Sequence, residues 1–195
     1  MHVGGTRLLI TAFLTNFVAS SHRGGASLPL FYYLTRMIDK QTVTDIVGQA
    51  IEGTGIFVVD IRVTPANEIT VELDSPDSLD IDTCAGITRR INEALDRDVE
   101  DYSVEVGSAG LTAPFRVAGQ YLKNIGNHVE VLTRDGRKLK GTLTAVDTAK
   151  EPLEFTVDIP VKVKEPGAKR PVTVNRPETF TADAVKSVVY MIDFK

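Results

Sequence analysis

The sequence predicts an α+β protein made of a helix-and-sheet part followed by a small barrel of short strands. Three observations predict it. Helical apolar spacing recurs over 38–51 and 84–95, with strand-like runs at 56–63, 69–73 and 102–106 in αββαβ order. Five further strand-like runs, separated by turn residues, fill 129–194. Between them lies Gly107-Ser108-Ala109-Gly110, where almost no side chain stops the backbone from turning sharply or lying close to another surface. The expected domains are therefore 37–114 and 115–195, the second opening with a short helical link.

Each element has its own warrant. Ile38, Val43, Ile46, Val47, Ala50 and Ile51 share one helical face, and Gly53-Thr54-Gly55 stops the helix. Ile56–Val63 reads as a largely buried strand, Pro65-Ala66-Asn67 as a turn, and Ile69, Val71 and Leu73 as the inward residues of a returning strand. Asp80 is placed to cap the second helix, with Asp82 in its positive first turn. Cys84, Ile87, Ile91, Ala94 and Leu95 form that helix's apolar stripe, leaving Arg89, Arg90 and Glu93 outward. Tyr102–Val106 is the third strand. Past the junction, Val117–Ile125 reads as the helical link. Val129 and Val131 then run toward Asp135-Gly136, a hairpin signal of the type I′ kind. Leu153–Val163, Val172–Phe180 and Val185–Phe194 are the remaining strands, and Lys162–Arg170, rich in Pro, Gly and cations, reads as a loop.

Residues 1–36 stand apart, with Arg7, Arg23 and Arg36 but no Asp or Glu. Their apolar stretches, Leu8–Val18 and Leu28–Leu34, fall short of the ~18–20 residues of a membrane span. Three readings are open: a non-native or disordered extension ahead of a start at Met37, a real extension with its own packing, and a targeting segment. The first is the expectation, and with it a cytoplasmic protein without a membrane partner.

Charge divides the rest. From 37 to 116 there are 6 Lys/Arg against 16 Asp/Glu, a net −10, and from 117 to 195 there are 13 against 10, a net +3. The first part repels phosphate and attracts basic protein, and the second tolerates phosphate. Arg134, Arg137, Lys138 and Lys140 around the hairpin, and Lys162, Lys164, Lys169 and Arg170 around the later loop, are the candidates to face RNA. No aromatic residues are interleaved with them, so contact would be directed to phosphate and shape rather than to stacked bases.

Catalytic chemistry finds little support. In 37–195 His128 is the only histidine, and no nucleophile has a matched base or phosphate-cradling loop. Asp74, Asp77, Asp80 and Asp82 lack the glycine and terminal Glu of a calcium loop, so no metal and no cofactor are expected. Cys84, the single cysteine, is expected as a buried small hydrophobe. Gly107-Ser-Ala-Gly110 matches a GXXG string, but it follows a strand instead of joining two helices.

Three stretches carry a family likeness: Gly53-Thr-Gly-Ile-Phe-Val-Val-Asp60, Val71-Glu-Leu-Asp74 through Asp80-Ile-Asp-Thr-Cys84, and Val104–Phe115. Over 37–195 the chain resembles the RimP family of bacterial ribosome maturation factors. In the third stretch the family usually reads Ser-Ser-Pro-Gly, then an acidic residue, Arg, Pro and Leu. This chain has Ala109 for that Pro and Thr112-Ala113 for the acid–Arg pair. Val129-x-Val131, Asp135-Gly136, Gly141-x-Leu143 and Val146-Asp147 also look like an SH3/Sm-like β-barrel, which the family likeness implies for the C-terminal part. The resemblance implies a non-catalytic factor, acting as a monomer, that binds the free 30S small ribosomal subunit through basic ribosomal proteins and 16S rRNA and assists its assembly. An Sm-like RNA-binding regulator and a protein-only adaptor are the competing classes. With the acid–Arg pair gone, the interdomain motif Ser108, Gly110, Leu111, Pro114 and Phe115 is expected to act through backbone shape, with Gly110 for the turn and Leu111, Pro114 and Phe115 as an apolar clasp between domains.

Overall fold

The computed structural model describes residues 37–164 and 170–192. The reading of residues 1–36 lies outside them, as do Lys169 and the last residues of the final predicted strand. The mixed α and β architecture expected from the sequence is present.

Helix α1 is Lys40–Ile51, opened by the Asp39 carboxylate, which accepts from Thr42 N. Val43 and Val47, one turn apart, are its fully buried residues. Strands β1 (Phe57–Val63) and β2 (Glu68–Asp74) form an antiparallel hairpin. Its turn holds Asn67 at φ 57°, in the left-handed region that Asn tolerates. Helix α2 is Ile81–Ala94, capped as expected by Asp80, whose Oδ1 accepts from Thr83 N at 2.7 Å. Strand β3 (Ser103–Ser108) returns parallel to β2, giving the order β1-β2-β3. Both helices lie on one face of this sheet, around Ile61, Ile69, Val71, Leu73, Ile87 and Ile91. Two details differ from the pattern. Ala94 is exposed, although Leu95 beside it packs on the core. Cys84 is only half-buried. Burial pushes its thiol up, and the Asp80 charge adds to this, so the thiolate is disfavoured.

The second half begins with helix α3, Ala118–Lys123. Strands β4 (His128–Thr133), β5 (Lys138–Asp147), β6 (Glu154–Val163), β7 (Val172–Thr181) and β8 (Val185–Tyr190) follow. They form one antiparallel sheet in the order β7-β6-β5-β4-β8. This five-stranded antiparallel sheet is the C-terminal part expected from the sequence, and among the described residues no ladder joins β7 to β8. The close approach of β5 to β6 needs Gly141, where a Cβ would lie 2.3 Å from the Asp158 carbonyl oxygen. A second core fills the concavity with Val129, Val131, Leu143, Phe155, Val157 and Val188. Across it runs an aromatic row, Phe115–Tyr121–Phe155–Phe180, with ring centres 5.2, 5.2 and 5.6 Å apart. Tyr121 is how α3 plugs the sheet.

The β4–β5 turn is not type I′, which needs two left-handed residues. Only Gly136 has a positive φ, at 89°. Gly136 N–H donates to Thr133 O, and Thr133 N–H donates to Arg137 O. This is a three-residue loop, a type I turn closed by a left-handed glycine. β6 ends at Val163, where the predicted strand ends, so where predicted strand and predicted loop overlap the strand holds and Lys162 pairs with Thr173 in the ladder. β8 ends at Tyr190.

Candidate functional site

The hairpin cations are engaged by their own protein. Arg137 Nε lies 2.8 Å from Asp135, and Lys138 and Lys140 approach Glu130 at 3.5 and 3.7 Å. Arg134 Nε donates to the Asp183 carbonyl at 2.6 Å. A hydrogen bond from the Thr133 hydroxyl, then one from Arg137, holds the Asp135 carboxyl below its ordinary range. Such exposed pairs add little stability, yet each neutralises part of the field that would attract phosphate.

The other group is presented differently. Lys162, Lys164 and Arg170 are exposed on the β6–β7 ribbon and have no ion pair among the described residues. Arg176, which the sequence reading passed over, joins them from β7, opposite Ile159. Its signal was hidden because it lies inside a strand pattern rather than in the cation-rich loop. Every residue from Val172 to Pro177 is exposed, so this end of the ribbon projects beyond the core.

Arg36–Lys195 form one compact unit, in which a seam joins the two sheets. The parallel strands β2 and β3 end side by side, and Ala109 N–H continues their ladder by donating to Leu73 O at 2.8 Å. The chain then turns through Gly110–Ala113, and Phe115 N–H donates to Val188 O on β8 at 2.8 Å. The expected apolar clasp is not what crosses here. Leu111 is 62% exposed, Pro114 is exposed, and Phe115 packs on Tyr121 in the second core. Ser108 donates to the neighbouring Ala109 carbonyl.

Charge and close backbone approach cross instead. Lys123 Nζ reaches Asp74 Oδ1 at 2.6 Å, with both side chains largely shielded from solvent. Arg116 reaches Glu72 at 2.9 Å and Asp60 at 3.3 Å, and Arg62 shares the same two carboxylates. The Phe57 ring lies so close to Gly119 that a Cβ there would stand 2.8 Å from it. Gln120, buried, holds the entry to α3 by accepting from Arg116 N at 2.7 Å and from Val117 N. Asp74, Ser108, Gly110, Phe115, Lys123 and Tyr190 are among the residues around a cavity of about 110 Å³. Among the described residues no cluster of His, Cys, Asp and Glu could hold a metal ion.

Comparison with known proteins bears on this arrangement. Residues 46–112 match the family described as the RimP N-terminal domain. Over 156 residues, 80% of this chain and the whole of the relative, the chain is 35% identical to the ribosome maturation factor RimP of Porphyromonas gingivalis. The chain belongs to the RimP family. RimP of Flavobacterium psychrophilum is 28% identical over 81% of this chain and all of its own length. RimP of Chlorobium limicola is 33% identical over 48% of this chain and 58% of its own. RimP proteins are named as maturation factors, a non-enzymatic family. No helix among the described residues is long and apolar enough to cross a membrane.

Proposed function

We propose that this protein is a ribosome maturation factor that binds the free 30S small subunit and guides its assembly without covalent chemistry. The observation that carries this reading, beside the family, is the division of charge. A part with net −10 is fixed by the Lys123–Asp74 contact to a part with net +3. The acidic part suits basic ribosomal proteins, and the basic strands suit 16S rRNA, so one molecule can hold a protein and an RNA element in a set relation. Of the RNA-facing candidates, Lys162, Lys164, Lys169 and Arg170 are favoured over the hairpin group, whose charges are engaged by Asp135 and Glu130. The protein acts as a monomer in the cytoplasm on this reading, and light scattering of the purified chain should give one copy.

Sucrose-gradient sedimentation of lysate tests the central claim. Co-migration with free small subunits and absence from 70S ribosomes is expected, and absence from small subunits overturns it. Charge reversal at Lys162, Lys164, Lys169 and Arg170 should weaken that association at physiological salt. Unchanged binding removes the RNA-facing role of these residues.

A further inference from the structure

Opposite residues of the β6–β7 ribbon share a face, and that face alternates along each strand. Phe155, Val157 and Ile159 of β6 point into the core, so Val161 and Val163 continue the same face outward. On β7 their ladder partners are Val174 and Val172. The result is a four-valine strip that begins against the core at Val161 and leaves it. Val163, Val172 and Val174 are 44%, 54% and 49% exposed. Solvent-facing valines in adjacent positions on a free ribbon end are costly unless something covers them. Cations surround the strip: Arg176 at its base on the same face, Lys162 on the reverse face, and Lys164 and Arg170 at the two strand ends.

We propose that the free end of the β6–β7 ribbon is a docking surface for double-helical RNA. This rests on the reading above that the basic strands approach rRNA, and it specifies what kind of RNA they meet. The strip contains no aromatic ring, so it cannot stack splayed single-stranded bases. A-form RNA offers a wide, shallow minor groove lined by riboses, a surface that takes a flat two-stranded ribbon and rewards shape over sequence. The strip spans about 7 Å along each strand at roughly 3.3 Å per residue and about 5 Å across the pair, short enough to lie within one such groove. Cations on both faces and at the tip then reach phosphates on both groove walls. An acidic protein could pair with the same cations, and the test separates it.

The probe is a blunt A-form RNA duplex of arbitrary sequence, compared by fluorescence anisotropy with one of its single strands. The full chain should prefer the duplex by about tenfold. Four phosphate contacts imply roughly a hundredfold loss of affinity between 50 and 200 mM salt. Lys162→Gln with Arg176→Gln should weaken duplex binding and lower the salt slope by about two. Val163→Thr with Val172→Thr keeps β-branched shape on an exposed surface. It should weaken duplex binding severalfold with the salt slope unchanged. Equal binding of single strand and duplex, or duplex binding untouched by both double variants, overturns the proposal. So does loss of small-subunit association in the variants without loss of duplex binding, which would assign the ribbon to a protein. Duplex binding by a chain that never co-sediments with small subunits would instead leave this inference standing and remove the ribosomal reading.

Discussion

Gly119→Ala places two opposing effects at one position. In a helix, Gly to Ala ordinarily stabilises by about 1 kcal/mol, because Ala loses less backbone freedom on folding. Here the new methyl would lie 2.8–2.9 Å from three carbons of the Phe57 ring. Phe57 begins β1 and is half-buried, so its ring must swing off α3 or the seam must widen. Overpacking of this kind costs about 1–3 kcal/mol. The clash should outweigh the propensity gain, giving a net loss of about 1 kcal/mol and a fall in Tm of roughly 2–4 °C. Thermal unfolding followed by circular dichroism measures it. In the background Phe57→Leu the clash is removed, so Gly119→Ala should become neutral or stabilising. That reversal across the double-mutant cycle is the specific claim. A Gly119→Ala protein that melts at or above the parent temperature would refute the close packing of α3 on β1.

Three further outcomes follow from named contacts. Lys123→Met should cost about 2–3 kcal/mol in urea unfolding, since Asp74, 7% exposed, would retain only the Ser75 N–H as a described partner; Lys123→Arg should recover part of the loss. Gly141→Ala should cost more than 3 kcal/mol or abolish folding, because the methyl would meet the Asp158 backbone oxygen, which cannot rotate away; expression and calorimetry of the variant check this. The Asp135 carboxyl sits lower in the folded than in the unfolded chain, so its contribution to the turn is present above the unfolded value and is lost as pH falls through the folded one. NMR titration should place Asp135 below the ordinary Asp range, and Thr133→Val should bring it back up.

Legibility in the sequence followed the range of the interaction. The helices, the β1–β2 hairpin and the Asp80 cap rest on residues within a few positions of one another, where period and capping chemistry can be read directly. The β4–β5 turn was located but mistyped, because Asp135-Gly136 serves both a two-residue and a three-residue loop, and the Arg134–Asp135 conformation decides between them. The seam was read as apolar from Leu111, Pro114 and Phe115, since those residues are adjacent in the chain. The groups that hold it, Arg116 with Asp60 and Glu72 and Lys123 with Asp74, lie 44–56 residues apart and leave no periodic trace. The valine alternation marks β6 through Val163, while the cations, Pro and Gly that begin at Lys162 point to a loop, so the two signals overlap at that point.

The bond from Phe115 N–H to Val188 O has a consequence for self-association. β8 is an edge strand, and an edge strand offers unsatisfied backbone groups to any second strand that arrives. By lying against that edge, the linker occupies one of its carbonyls, and the Phe115 ring packs on Tyr121 beside it. The same few residues that connect the two sheets therefore also guard one of them. A rearrangement that swings the linker away would expose the strand it covers.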